Sequence, residues 1–287
     1  MPRALWKLPI LAMRERLTPA GRTRQLEPMV MDEPDSVAQF HAGGATSSGM
    51  RAVHDLSARC LDRLLPEGGR LLDLGCGSGR ALAYLAQRRP DITAVGVDLA
   101  PNMLALASEL LQQEGLADRI RLVHADISQL PENLLAEPFD AVSTIWTLHH
   151  LPDNATLDAV LRQIAALRAK WSCAVWIMDF QRLHNQASFP AGIRVLEPGT
   201  DPRLSQDAIA SEAASFTFQD LTNAAEAAGL TGLHGGCCWP IPWQQAHWLP
   251  ASRHSPRDSR RWQPLQLQGA ARVDAVLLRR GFSRLPI

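Results

Sequence analysis

Tyrosine is almost missing from this chain: Tyr84 is the single example in 287 residues. It falls within a predicted helix, so phenolic acid–base chemistry has no good carrier. Cysteine is also scarce, with five residues, no Cys-x-x-Cys, and an adjacent pair at Cys237-Cys238. That pattern suggests neither a disulfide framework nor a zinc site, and it suits a reducing compartment. Net charge is absent, with 29 basic and 29 acidic residues. A nucleic-acid polymer is therefore not expected as partner, because neutralising phosphates takes a basic surface. No apolar run approaches the roughly 20 residues of a membrane span, so no membrane partner is expected. The first residues are mildly apolar, but Lys7 and Pro9 interrupt them. No signal peptide is read there, and the expected location is cytoplasmic.

What the chain has instead is a glycine-rich turn at Leu71-Leu72-Asp73-Leu74-Gly75-Cys76-Gly77-Ser78-Gly79. A short apolar run ends in glycines at alternate positions, which predicts a buried parallel strand, a tight turn, and a helix from about Arg80. The turn lets a ligand approach the backbone, and the helix start offers free N–H groups and a positive dipole end. A dinucleotide fingerprint would need a sixth-position glycine, where this chain has Arg80.

From residue 70 strands and helices alternate. Strands are predicted at 70–74, 93–98, 119–126, 139–146 and 173–179, with helices at about 80–89 and 154–169 and one starting at Pro101. Such βα repetition requires a parallel sheet covered on both faces. An amphipathic helix at 50–65 precedes it, with Val53, Leu56, Cys60, Leu61 and Leu64 on one stripe. Residues 1–48 are read as short pieces broken by Pro28, Pro34 and Gly43-Gly44, and residues 180–215 as an irregular insert rich in proline and glycine. A helix at 217–228, two closing strands near 231–237 and Trp248, and a helix at 270–280 complete the reading. The tail also carries Arg253, Arg257, Arg260 and Arg261.

Three acids end successive strands: Asp73, Asp98 and Asp126. In a doubly wound sheet those ends line one crevice. Asp98 suits a ribose cis-diol, although it could also cap the helix that starts at Pro101.

These features resemble class I S-adenosylmethionine (SAM) methyltransferases. The resemblance covers roughly residues 50–240 and is carried by Asp73-Leu74-Gly75-Cys76-Gly77-Ser78-Gly79, by Gly96-Val97-Asp98-Leu99-Ala100-Pro101-Asn102-Met103, and by His124-Ala125-Asp126-Ile127. It implies a doubly wound, seven-stranded, mostly parallel α/β sheet with one antiparallel strand near the end. It implies that Asp73, Gly75, Cys76, Gly77, Asp98, Leu99, Met103, Asp126 and Ile127 hold SAM, with S-adenosylhomocysteine as product. Met103 could equally be ordinary helix–sheet packing.

The resemblance also implies that the loop after the fourth strand, Thr147-Leu148-His149-His150-Leu151-Pro152, reaches the methyl acceptor. Histidine titrates near neutral pH and can take an acceptor proton. His149 is the candidate catalytic residue, and His41, Trp146, His150 and Asp179 are candidates for the substrate wall. His150 is expected to point away and to tolerate change. No Asn/Asp-Pro-Pro-Tyr/Phe follows strand four, no Pro-Cys supplies a nucleophile, and no Asp–Asp-Asn set resembles a magnesium site; no metal is expected. Eight tryptophans, with Trp239, Trp243 and Trp248 near one another, suit a flat apolar substrate.

The expected organisation is an amino-terminal cover over 1–48, a SAM-binding domain over 49–250 with the substrate insert at 180–215, and a carboxyl-terminal extension over 251–287. The expected activity is metal-independent transfer of a methyl group to a small molecule, with a homodimer as candidate assembly. Other chemistry on the SAM fold, or a non-catalytic SAM-binding module, are the alternatives.

Overall fold

The computed structural model describes residues 3–252 and 267–287. Arg253, Arg257, Arg260 and Arg261 lie outside the described residues. The centre is a seven-stranded sheet of order β3-β2-β1-β4-β5-β7-β6. Its strands are β1 (Arg70–Leu74), β2 (Thr93–Asp98), β3 (Ile120–His124), β4 (Ala141–Ile145), β5 (Ala174–Phe180), β6 (His234–Cys237) and β7 (Gln244–Leu249). The first five run parallel; β7 lies antiparallel to both β5 and β6. The order reverses beside β1, so β1 and β4 part at their carboxyl ends and open a crevice there.

Both faces of the sheet are covered. Val175 and Ile177 of β5 pack into one core with Leu72, Leu74 and Val142, while Trp176 and Met178 pack into the other with Leu71. This two-residue alternation is the pleat, and apolar residues on both of its faces give the near-continuous runs seen in the sequence. One face carries α3 (Ser48–Leu64), α4 (Arg80–Arg88) and α11 (Gly269–Gly281). The other carries α7 (Asn154–Trp171) and α10 (Phe218–Ala227). Helix α5 (Pro101–Gln113), after β2, adds Leu110 and Leu111 to the core on the first of these faces, and the single turn α6 (Glu132–Leu135), after β3, adds Leu134 to that on the second. The α3 stripe Val53, Leu56, Cys60, Leu61 and Leu64 is buried.

Two regions differ from the sequence reading. The amino-terminal region is not a set of short pieces; it contains α1 (Leu8–Leu17) and α2 (Pro34–Thr46). The stretch 180–215 is not irregular; it folds as α8 (Ser188–Leu196) and α9 (Pro202–Ala214). The reason is the same in both. Pro9, Pro34, Pro190 and Pro202 all sit in the first turn of a helix, where backbone N–H groups have no partner inside the helix to lose. Proline there starts a helix. Gly43 and Gly44 likewise lie inside α2, where a Cβ on Gly44 would come within 2.4 Å of the Arg80 side chain. They mark close packing, not a break.

Candidate functional site

The glycine turn builds the floor of the crevice. Gly75 has φ 74°, and a Cβ there would sit 2.1 Å from the Thr147 methyl carbon. Glycine is thus required twice over, by the left-handed backbone and by the loop that crosses above. Gly79, also left-handed at φ 74°, starts α4, and Arg80 follows at the positive end of that helix. Arg80 Nε donates to the His41 carbonyl at 2.5 Å, and among the described residues its guanidinium has no carboxylate in ion-pair contact. It lines the cavity as an uncompensated cation, and burial holds its pKa down.

The acids lie opposite. Gly77 N–H donates to Asp98 Oδ2 at 2.7 Å and Ala100 N–H to Oδ1 at 2.9 Å. Each oxygen keeps further acceptor capacity. Ser143 Oγ donates to Asp73 Oδ1 at 2.5 Å. Burial pushes Asp73 up to about 7 and raises Asp98 as well. Neither acid has a cationic side chain in ion-pair contact among the described residues, so a positive group brought into the crevice would be welcomed electrostatically. Asp126 accepts from Ser128 N–H at 2.7 Å. All nine residues expected to hold the cofactor line one cavity with Arg80. Its walls match three kinds of group: a diol at Asp98, a flat apolar ring between Leu99, Met103 and Ile127, and a carboxylate at Arg80.

The second half of the cavity is assembled around His149. This residue is 3% exposed and lies in a short 3-10 turn, Leu148–His150, after β4. Its Nδ1 lies 2.5 Å from Asp179 Oδ1. Asp179 is itself held by Leu148 N–H at 2.8 Å and Phe180 N–H at 2.7 Å. A carboxylate at Nδ1 makes that nitrogen the N–H donor and leaves Nε2 with its lone pair, on a ring that lines the cavity. Burial lowers the His149 pKa, but the charge and hydrogen bond of Asp179, with help from Glu27, outweigh it and leave the ring above its ordinary value.

Three candidates sit differently from expectation. Asp179 does not line the cavity; it lies beneath His149 and positions it. His41 also falls outside the cavity wall, since α2 turns Phe40 and Gly44 inward and leaves His41 to accept from Arg80 through its carbonyl. His150 does not point away. Its ring lies 4.4 Å from that of His149, and its Nδ1 is 3.3 Å from Glu27 Oε1. A 3-10 turn crowds successive side chains more than an extended loop does. Burial and the neighbouring ring hold His150 down to about 3, so it is neutral. Trp146 does line the cavity. It adopts φ 52°, stacks on Phe180 at 5.1 Å, and donates through its indole N–H to Gln244 at 3.2 Å. Those contacts hold a bulky residue in a costly backbone region.

Sequence reasoning missed Glu27 and Arg24. Both belong to the extended strand of chain between α1 and α2. Arg24 donates to the His149 carbonyl at 2.8 Å and to the Leu151 carbonyl, with its guanidinium 4.0 Å from the Phe216 ring centre. That pins the segment and places Glu27 Oε1 3.4 Å from His149 Nε2. Burial raises the Glu27 pKa. No local motif marks either residue. Glu27, His149 and His150 are the one trio among the described residues that could hold a metal, with ligand atoms within 4.8 Å of one another. However, His150 Nδ1 also lies 3.2 Å from the Pro28 carbonyl. With an N–H kept at Nδ1, only Nε2 of His150 would be left to ligate. The far wall is apolar, with Met29, Val30, Phe189, Ile193 and Trp243.

Residues 71–170 match the family described as Methyltransferase domain. A ubiquinone biosynthesis O-methyltransferase of Xylella fastidiosa is 34% identical over 133 residues, covering 44% of this chain and 51% of that protein. The chain matches only 22% to 51% of the length of the first curated relatives. A structure of a SAM-dependent methyltransferase from Methanococcus maripaludis superposes with a TM-score of 0.55 at 14% identity, over 82% of this chain and 99% of that one. The plantazolicin methyltransferase BpumL, solved with a monoazolic desmethylPZN analog and SAH, superposes with a TM-score of 0.54 at 14% identity, over 77% and 91%. The last two are likenesses of fold.

Proposed function

We propose that this chain, whose residues 71–170 match a methyltransferase domain, transfers a methyl group from SAM to a hydroxyl of a small, flat, apolar molecule. The observation that carries the choice of a hydroxyl is the Asp179–His149 pair, which aims a raised-pKa imidazole into the acceptor half of the cavity.

The residues present fit SAM. Asp98 has acceptor capacity for the ribose diol, and Arg80 is a free cation for the amino-acid carboxylate. Asp73 is buried and Asp98 half-buried, and among the described residues neither has a cationic side chain in ion-pair contact, which suits a ligand that carries a sulfonium and an ammonium. SAM supplies an electrophilic methyl on a positively charged sulfur. The chain supplies the rest. Trp146, Phe180, Phe189 and Trp243 bury the acceptor and exclude water. His149 Nε2 takes the proton from the acceptor hydroxyl as oxygen attacks the methyl carbon. Asp179 keeps the Nδ1–H in place and stabilises the imidazolium that results. Arg24 and the segment it pins position Glu27 at the same nitrogen. Positioning alone can lower a barrier by roughly 7–11 kcal/mol, so the histidine completes the reaction without carrying all of it.

The test uses SAM labelled on its methyl group with a panel of phenols. Labelled ether and S-adenosylhomocysteine in equal amounts support the proposal. Label on nitrogen or carbon acceptors in preference to phenols would overturn the hydroxyl assignment.

A further inference from the structure

Helix α1 is apolar on two faces, yet the fold packs only one of them. Leu8, Leu11 and Ala12 face inward against α8 and are buried. Glu15 anchors the same face by accepting from the backbone N–H groups of His184 and Asn185. Outside, Ile10 is 57% exposed, Met13 52% and Leu17 76%, and Trp6, one turn earlier, is 68% exposed. At about 100° per residue, Ile10, Met13 and Leu17 fall within about 60° of arc. They border a shallow groove with Pro9 and Arg14. These are four of the eight large hydrophobics exposed among the described residues, gathered on α1 and the 3-10 turn Leu5–Lys7 that leads into it. Isolated exposed side chains need no explanation, but a contiguous stripe does.

The charges beside the stripe identify its partner. Lys7, Arg14 and Arg16 are exposed, and none has a carboxylate in ion-pair contact among the described residues. The one acid between residues 3 and 18 is Glu15, which is buried. The Lys7 ammonium stands 5.5 Å from the Trp6 ring centre. With its inner apolar face packed away, α1 presents outward a tryptophan and three long aliphatics edged by cations, with no outward acid, a surface complementary to the headgroups and acyl boundary of an anionic bilayer. Lysine and arginine stems can lie along the apolar layer while their charges meet lipid phosphates.

We propose that α1 docks this chain on an anionic lipid surface, with Trp6, Ile10, Met13 and Leu17 in the acyl boundary and Lys7, Arg14 and Arg16 on the headgroups. This departs from the expectation of no membrane partner and needs no membrane-spanning helix; none among the described residues is long and apolar enough to cross a bilayer. The position is useful to an apolar acceptor. Helix α8, on which α1 packs, turns Phe189, Ile193 and Leu196 into the cavity. The docked face is thus one helix away from the acceptor wall. The proposal stands on the stripe and its charges, independently of which atom is methylated.

The test is sedimentation of the full chain with vesicles of phosphatidylcholine alone or mixed with phosphatidylglycerol. Wild type should bind the mixed vesicles, and salt should weaken that binding. A variant with Trp6→Ser, Ile10→Ser, Met13→Ser and Leu17→Ser should lose about tenfold or more in partition. A variant with Lys7→Glu, Arg14→Glu and Arg16→Glu should lose its preference for phosphatidylglycerol. Both should keep the wild-type melting temperature and SAM affinity, because every altered side chain is exposed. Failure of wild type to bind the mixed vesicles would overturn the proposal. So would wild-type binding that both variants retain. Sedimentation velocity showing self-association through this face, without vesicle binding, would also overturn it and assign the stripe to a second copy.

Discussion

The two halves of the cavity are made in opposite ways. The half that fits SAM comes from three short stretches, Asp73–Arg80, Asp98–Met103 and Asp126–Ile127, each at the carboxyl end of a strand or in the turn after it. The acceptor half draws on Glu27 and Met29 from before the sheet, His149 and Asp179 from loops and strands in its middle, Phe189 and Ile193 from α8, and Trp243 beside β7. A cofactor shared by many proteins can be met by local backbone geometry. An acceptor particular to one protein is met by long-range packing. Changes in the first half should therefore act on SAM binding, and changes in the second on turnover.

The largest effect expected is on His149. His149→Ala should lower turnover by about 10²–10⁴-fold with SAM affinity unchanged in calorimetry. A matching loss of SAM affinity would merge the two halves. Next, Asp98→Ala should weaken SAM by about tenfold or more. It removes charge-assisted hydrogen bonds worth about 1.5–3 kcal/mol, and acceptor KM should hardly move. Unchanged SAM affinity would remove the ribose assignment.

A smaller effect separates the halves by pH. His149 has a raised pKa, so the free imidazole needed as base appears only as pH climbs above its ordinary range. The acid limb of kcat/KM should then lie above the usual histidine value of about 6.5. Asp179→Asn should move it downward, since the raising carboxylate is gone. SAM affinity should follow a different group. Asp73 sits near 7 in the free protein, so affinity should fall as pH drops below about 7 and this acid is neutralised. The same linkage makes Asp73 favour folding at low pH. That contribution is full below its unfolded value and is lost as pH rises through about 7. Coincident pH profiles for binding and turnover would contradict the separation. The smallest effect expected is none: a chelator should leave turnover unchanged, and a loss restored by a divalent cation would turn Glu27, His149 and His150 into a metal site.

The same contrast explains what could be read from the sequence. The sheet was legible because both faces of its central strands are buried and those strands read as near-continuous apolar runs. The gathering of the nine proposed SAM residues in one cavity was legible because strand ends and glycines share one short motif each. His149 was found by its place after β4. Glu27 and Arg24 were not, because their approach to His149 depends on a chain segment whose path is set by Phe216 and the carbonyls of His149 and Leu151. The helices of 1–48 and 180–215 were hidden by prolines that start helices, which composition alone cannot tell from prolines that end them. Asp179 was visible as an acid after a strand, but its burial under the imidazole was not.

The central claim is that one cavity joins a SAM-binding wall to a wall that deprotonates an acceptor. The most direct measurement is turnover of methyl-labelled SAM by wild type and His149→Ala, with SAM binding measured on the same samples. The account predicts a labelled phenol ether and one S-adenosylhomocysteine per methyl from wild type, and full SAM binding with turnover lowered by about 10²–10⁴-fold in the variant. SAM bound by wild type with no methyl moved, or equal turnover by both proteins, would contradict it.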